Sequence, residues 1–225
     1  MPRYGLDREL RLIQDETLIL GSMVEQAMLN SIDALRRRDA IAAQEVIADD
    51  HRINDKRYAI ENRILILFAT HAPLAHDMRV LAATLEVTTE IERIGDYAKG
   101  IAKVAVKLAD DETPIPMREI QTMADIAVSM LHRALGAFVS EDLVSAHALP
   151  AEDDKVDELY NLIYKRIIQT MVNNPSGIEH SNQVLWVIHN LERTADRVTN
   201  ICERIVYMVT GELMELESSE EDATE

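Results

Sequence analysis

Residues 85–106 read LEVTTEIERIGDYAKGIAKVAV, and residues 185–206 read LWVIHNLERTADRVTNICERIV. Laid over one another at an offset of 100, they share Leu85/Leu185, Val87/Val187, Glu92/Glu192, Arg93/Arg193, Asp96/Asp196, Ile101/Ile201 and Val106/Val206. Each belongs to a longer run whose apolar residues step by three and four. The first run carries Val80, Thr84, Val87, Ile91, Ile94, Ala98, Ile101, Ala105 and Leu108. The second carries Val184, Val187, Leu191, Val198, Ile201, Ile205 and Val209. That period is the apolar face of a helix, about 45 Å long at ~1.5 Å per residue. A helix copied once at a fixed distance predicts an internal repeat.

The copy extends upstream. Asp50-His-Arg-Ile-Asn-Asp55 falls over Asp153-Asp-Lys-Val-Asp-Glu158 at an offset of 103, with Arg63 over Arg166; the turn between the helices absorbs the difference. Periodicity predicts six helical segments. The first runs from about Asp7 to Arg37, the second from an Asp39 N-cap to Thr70, and the third from after Pro73 to Ala109. Residues 110–117, with Pro114 and Pro116, read as a linker to a fourth segment ending near Val139. The fifth begins at Ser140 as N-cap and ends near Val172, and Pro150 should break or kink it. After the turn Asn173-Asn-Pro-Ser-Gly177, the sixth runs to Thr210 with Gly211 at its end. The expected fold is all-α, a tandem repeat of two three-helix bundles over residues 1–110 and 111–217. Residues 218–225 are expected to form an acidic disordered tail.

Composition agrees and excludes several functions. The 225 residues are 47% apolar but only 4% aromatic, which favours helix over strand. The formal charge of −17 repels phosphate backbones and argues against nucleic-acid binding. One cysteine, Cys202, cannot form an internal disulfide, and its apolar run marks it as a small buried hydrophobe. No stretch reaches the length of a membrane span, and the first residues lack an apolar signal region. The expectation is a cytoplasmic protein, peripheral to a membrane at most. It is also expected to be a homodimer, since long bundles often leave a stripe to share.

The acidic pairs carry the chemistry. Glu92 with Asp96, and Glu192 with Asp196, are spaced by four, which puts both carboxylates on one helix face at a cost in repulsion. Their angular position predicts rim or surface residues rather than a buried dyad. The preceding helix of each half carries Asp50 with Asn54, and Asp153 with Asp157. Asp157 and Glu192, and Asp153 and Asp196, lie equally far from the turn between their helices; so do Asn54 and Glu92, and Asp50 and Asp96, about Pro73. In an antiparallel hairpin four side-chain oxygen donors would converge in each half. Two readings stand: a solvated acidic face offset by Lys99, Arg93 and Arg193, or a site for a hard cation or iron. His189 lies one turn before Glu192 and could add an imidazole, although its counterpart is Thr89. Catalysis is poorly supported. There is no Glu-x-x-His, no phosphate-cradling glycine loop and no Ser or Cys nucleophile motif.

Glu92-Arg-Ile-Gly-Asp96, and Leu191-Glu-Arg-Thr-Ala-Asp-Arg-Val-Thr-Asn-Ile201 with Val209-Thr-Gly-Glu212, resemble the two signature motifs of the PhoU family. Pro73-Leu-Ala-His-Asp-Met-Arg79 resembles the segment before the first motif, and the similarity spans about Leu18 to Glu212. The resemblance implies two three-helix bundles and a non-enzymatic negative regulator of phosphate uptake and phosphate-regulon signalling. It implies an adaptor between the ATPase subunit of a phosphate ABC transporter and a phosphate-sensing histidine kinase. It also implies metal binding, by iron, zinc, manganese or magnesium, at motifs matching Glu92/Asp96, Glu192/Asp196 and Asp153/Asp157. The sequence departs from the family at Gly100, where Asn is usual; at Asn54, which replaces a carboxylate; and at Thr194-Ala195, which replaces Ile-Gly. With less charge the first-half site should be the weaker. The alternatives are a metal-dependent enzyme or metal store using the same carboxylates, and a helical scaffold with no ligand.

Overall fold

The computed structural model describes residues 3–216; the expected acidic tail lies outside the described residues. The first half is α1 (Arg3–Arg37), α2 (Ala40–Thr70) and α3 (Ala75–Lys107). The second is α4 (Met117–Ser140), α5 (Leu143–Ala148), α6 (Asp153–Asn173) and α7 (Ile178–Thr210). The repeated helices α3 and α7 are central. Each packs on the other helices of its own half, and the two pack on one another, while α1 against α4 makes a second seam. The stripe from Val80 to Leu108 is buried throughout, as are Val184, Val187, Leu191, Val198, Ile201 and Ile205. A fully buried side chain of this kind stabilises the fold by about 1.5–3 kcal/mol. Val209, in the last turn of the second stripe, is only half-buried.

Pro150 breaks the fifth segment as expected. It opens a 3₁₀ turn, Pro150–Glu152, between α5 and α6. The start of that segment differs from expectation. Ser140 is the last residue of α4 and its Oγ donates to the Gly136 carbonyl (2.8 Å); Glu141 turns the chain in a left-handed conformation (φ 55°). Asp142 caps instead, accepting from the amides of Val144 (3.0 Å) and Ser145 (3.2 Å). The broken segment makes Asp153 the first residue of α6, whereas its counterpart Asp50 lies inside α2.

The linker between halves is tied down at both sides. Arg38, itself left-handed at φ 53°, donates to the carbonyls of Leu108 (2.9 Å) and Thr113 (2.6 Å). Asp111 pairs with buried His180 (2.7 Å), and the hydrogen bonds from Thr113, followed by that from His180, hold its carboxyl well below the usual range. Gly211 ends α7 at φ 82°, with the Arg79 side chain lying against it.

Gly100 meets the single tryptophan, for a Cβ there would lie 2.5 Å from Trp186 Cη2. Ala would gain about 1 kcal/mol of helix propensity over Gly. Displacing a packed ring costs about 1–3 kcal/mol. The clash wins. Gly100→Ala is expected to lower stability by about 1 kcal/mol and to red-shift the emission of Trp186 as the indole moves into water.

Candidate metal centre

Helices α6 and α7 form a hairpin turning through Pro175–Gly177, and this brings Asp153 and Asp157 opposite Glu192 and Asp196. Asp153 is 5% exposed. Burial is the main force on its carboxyl, followed by the charges of Asp196, Asp157, Glu192 and Asp154; together they push it up to about 8. Glu192 is pushed up to about 7 by burial, then by Asp196 and Asp157, against the pull of Arg193. Burial also raises Asp196, against Arg197 and Arg193. The N-terminus of α6 favours an ionised Asp153, yet burial among like charges outweighs it. Glu192 and Asp196 lie half-buried at the rim, in keeping with their angular position, whereas Asp153 on the facing helix is buried and Asp157 half-buried.

Three buried oxygens in this region lack a hydrogen-bond partner: Asp153 Oδ1, Glu192 Oε2 and Thr199 Oγ1. His189 Nδ1 lies 3.3 Å from Glu192 Oε2, on a half-exposed imidazole. Among the described residues no Lys or Arg bridges Asp153, Glu192 or Asp196. Such an arrangement leaves negative charge and lone pairs unanswered.

The first half is built differently. Lys99 Nζ reaches Asp50 Oδ2 at 2.6 Å, and Arg57 Nη1 reaches Glu92 Oε2 at 3.3 Å. Burial raises the Glu92 carboxyl, opposed by Arg57 and reinforced by Asp96 and Asp50. The hydrogen bond to Asp50 raises the Lys99 ammonium. Asp96 is exposed. Asn54 turns its Nδ2 to Asp50, donating to its Oδ2 (3.1 Å) and its carbonyl (3.2 Å), so it offers its amine side to the cluster. The repeat explains the contrast. At the same offsets Lys99 corresponds to Thr199 and Arg57 to Tyr160, so both counterions are absent from the second half. The positions that carry Lys99 and Arg57 in the first half therefore carry a hydroxyl and a phenol in the second.

The donor chemistry of the second set suits a hard divalent cation better than that of the first. The donors are all oxygen, the orphaned atoms need a partner, and a cation would relieve the repulsion. Among the described residues no three His, Cys, Asp or Glu groups are already gathered closely enough to ligate one ion, so the carboxylates would have to draw together on binding. Cys202 takes no part, since burial pushes its thiol up to about 12.

Other motif residues turn out to bind the halves to each other. Arg197 donates to the Tyr97 hydroxyl (3.2 Å) and pairs with Glu90 (3.2 Å), which also accepts from Asn200 (3.3 Å) and Arg93 (2.7 Å). The Arg193 guanidinium lies 4.9 Å from the centre of the Tyr97 ring. Arg79 donates to the carbonyls of Met208 (3.1 Å) and Val209 (3.5 Å), capping α7 from the other half. Sequence spacing did not single these out. A cavity of 670 Å³ opens between α1 and α2 over Met23, Val46 and Ile53, with Asp50 among its lining residues.

Comparisons with known proteins agree with this architecture. The family model described as "PhoU domain" matches twice, over residues 17–105 and 120–205. A protein of Clostridium acetobutylicum, described as a phosphate-specific transport system accessory protein PhoU homolog, is 33% identical over 217 residues, covering 96% of this chain and 99% of the relative. The Streptococcus pneumoniae protein of the same description is 33% identical over 214 residues, covering 95% and 99%. Among solved structures, the Streptococcus pneumoniae phosphate transport system regulatory protein PhoU superposes with TM-score 0.88 at 33% identity, covering 94% of this chain and all of that one. PhoU from Pseudomonas aeruginosa gives TM-score 0.87 at 28% identity, covering 92% and 99%.

Proposed function

The chain belongs to the PhoU family, and on that premise we propose that it is an accessory regulator of phosphate uptake rather than an enzyme. It would act from the cytoplasmic side, docking on the ATPase subunit of a phosphate transporter and on a phosphate-sensing kinase. There it would bias their conformational equilibria toward the restrained state when phosphate is plentiful. The observation that carries this reading is the double family match along the chain, joined to relatives described as accessory proteins. The architecture suits an adaptor. The α3–α7 seam fixes the two bundles against each other, leaving α2 and α6 to present charged outer faces.

The second-half carboxylates are part of the same proposal. Asp153, Asp157, Glu192 and Asp196 would hold a hard divalent cation, with Thr199 and His189 beside them. That ion would supply the positive charge that Lys99 and Arg57 supply in the first half. Because Asp153 and Glu192 must give up protons to ligate, affinity is expected to rise as pH climbs through about 7 and about 8. Calorimetric titration with Mn²⁺ from pH 6 to pH 8.5 checks this; an affinity flat across that range contradicts it.

Recovery of partners tests the regulatory role. The full chain is used as bait in membrane-containing lysate of its host, grown in high and in low phosphate. Capture of the transporter ATPase or a sensor kinase supports the reading. Capture of neither in both conditions opposes it.

A further inference from the structure

Three of the six lysines of this acidic chain, Lys99, Lys103 and Lys107, fall on one stripe of α3. They line a crevice of 390 Å³ between α3 and α7, together with Asp96, Trp186, Asn182 and Gln183. The stripe belongs to the first repeat alone, because the matching positions of α7 are Thr199, Glu203 and Tyr207. Lys99 is committed to Asp50. Lys103 and Lys107 are exposed; Lys107 Nζ reaches only a neutral acceptor, Gln183 Oε1, at 3.4 Å. Lys103 has no ion-pair partner among the described residues. Spaced by four, these two side chains stand about 6 Å apart, close enough to hold neighbouring phosphate groups between them.

Trp186 supplies the second feature. It is 47% exposed at the wall of the crevice, an unusual cost for the single tryptophan of a chain with so few aromatics. Its inner edge is braced on Gly100, where any Cβ would collide with the ring, so the indole is held in place. A fixed, half-open indole beside free ammonium groups matches an anion that carries a flat ring. Asn182 and Gln183 add amide donors and acceptors at the same wall. Asp96 at one end of the crevice repels phosphate and so sets the polarity, with the phosphates toward Lys103 and Lys107.

We propose that this α3–α7 crevice binds a nucleoside triphosphate, with the base on Trp186 and the phosphate chain on Lys103 and Lys107. Concavity favours a small ligand over a flat anionic membrane, and its volume is within the usual range for small-molecule sites. The overall negative field does not forbid this. At physiological salt it is screened over about 8 Å, while the lysines act at contact. The site shares no residue with the second-half carboxylates, so it stands whether or not they bind metal.

Because Trp186 is the sole tryptophan, its fluorescence reads this site directly. Full-length protein is titrated with ATP to millimolar concentration at constant ionic strength, exciting beyond the absorption of adenine. The expected result is a saturable change in emission, with affinity weakened by about tenfold or more in the double variant Lys103→Glu, Lys107→Glu. Both lysines are exposed, so that variant should fold, which circular dichroism confirms alongside. Lys103→Gln with Lys107→Gln is expected to give a smaller loss in the same direction. The proposal is overturned by no saturable response, by equal affinity in the charge-reversed variant, or by an equal response to inorganic phosphate alone. Binding to phosphatidylglycerol vesicles without any response to ATP would also overturn it.

Discussion

Protein carrying Glu192→Gln and Asp196→Asn is expected to lose affinity for Mn²⁺ by about 100-fold or more, and yet to melt higher than wild type when both are metal-free at pH 8. The sign follows from the direction of the shifts. Carboxyls whose folded pKa is raised stabilise the fold fully at low pH, and that contribution is lost as pH rises through the folded value. For Glu192 that value is about 7 and for Asp153 about 8, so wild-type stability should fall between pH 4 and pH 8. Discounting the shifts for their mutual coupling, the double variant should be about 2 kcal/mol more stable at pH 8. For a chain of this size that is ~5 °C in melting temperature. The matching first-half change, Glu92→Gln with Asp96→Asn, should leave Mn²⁺ affinity near wild type and remove one of the two carboxylate partners of Arg57, leaving Glu61. Thermal melts in chelator across pH, with calorimetry in Mn²⁺, measure both. A double variant that melts lower at pH 8, or keeps its affinity, contradicts the account.

The complementary change concerns the first half. Lys99→Thr copies the residue at position 199 and strips buried Asp50 of its ammonium partner. Breaking a buried pair from one side costs about 3–5 kcal/mol; with Lys99 partly exposed, about 2–3 kcal/mol is expected at pH 7.5 in chelator. Asp50→Asn in the same background should recover most of that loss, because the uncompensated charge goes with it. Mn²⁺ should also recover part of it, since the first half would then resemble the second. Denaturant melts of the single and double variants provide the check. A loss that Asp50→Asn does not relieve would assign Lys99 a packing role instead.

Much of this arrangement was legible in the sequence because it follows from two periods. The three-and-four step of Val80 to Leu108 gave the central helix, and the offset of 100 gave its copy. Equal distances from a turn also place Asp153 against Asp196, whose charge acts on it in the fold. The cap at Asp142 was missed because Ser140 and Asp142 are both good N-caps, and the left-handed Glu141 decided between them. The burial of Asp153 carries no signal in the sequence, because helix angle alone does not say how closely two helices approach. The ties of Arg79 to the end of α7, and of Arg197 to Tyr97 and Glu90, join residues more than ninety positions apart, beyond the reach of any local pattern. The counterions Lys99 and Arg57 carried a usable signal, in positions where the repeats disagree rather than agree. Thr199 and Tyr160 mark the half in which neither of these two cations recurs.

Phosphate uptake in the native host tests the central claim most directly. Uptake is measured in phosphate-replete medium in wild type, in a strain lacking this chain, and in that strain complemented with it. The account predicts several-fold higher uptake in the deletion strain, returned to the wild-type rate by the intact chain. Uptake that is unchanged by deletion under replete conditions would contradict a regulatory role.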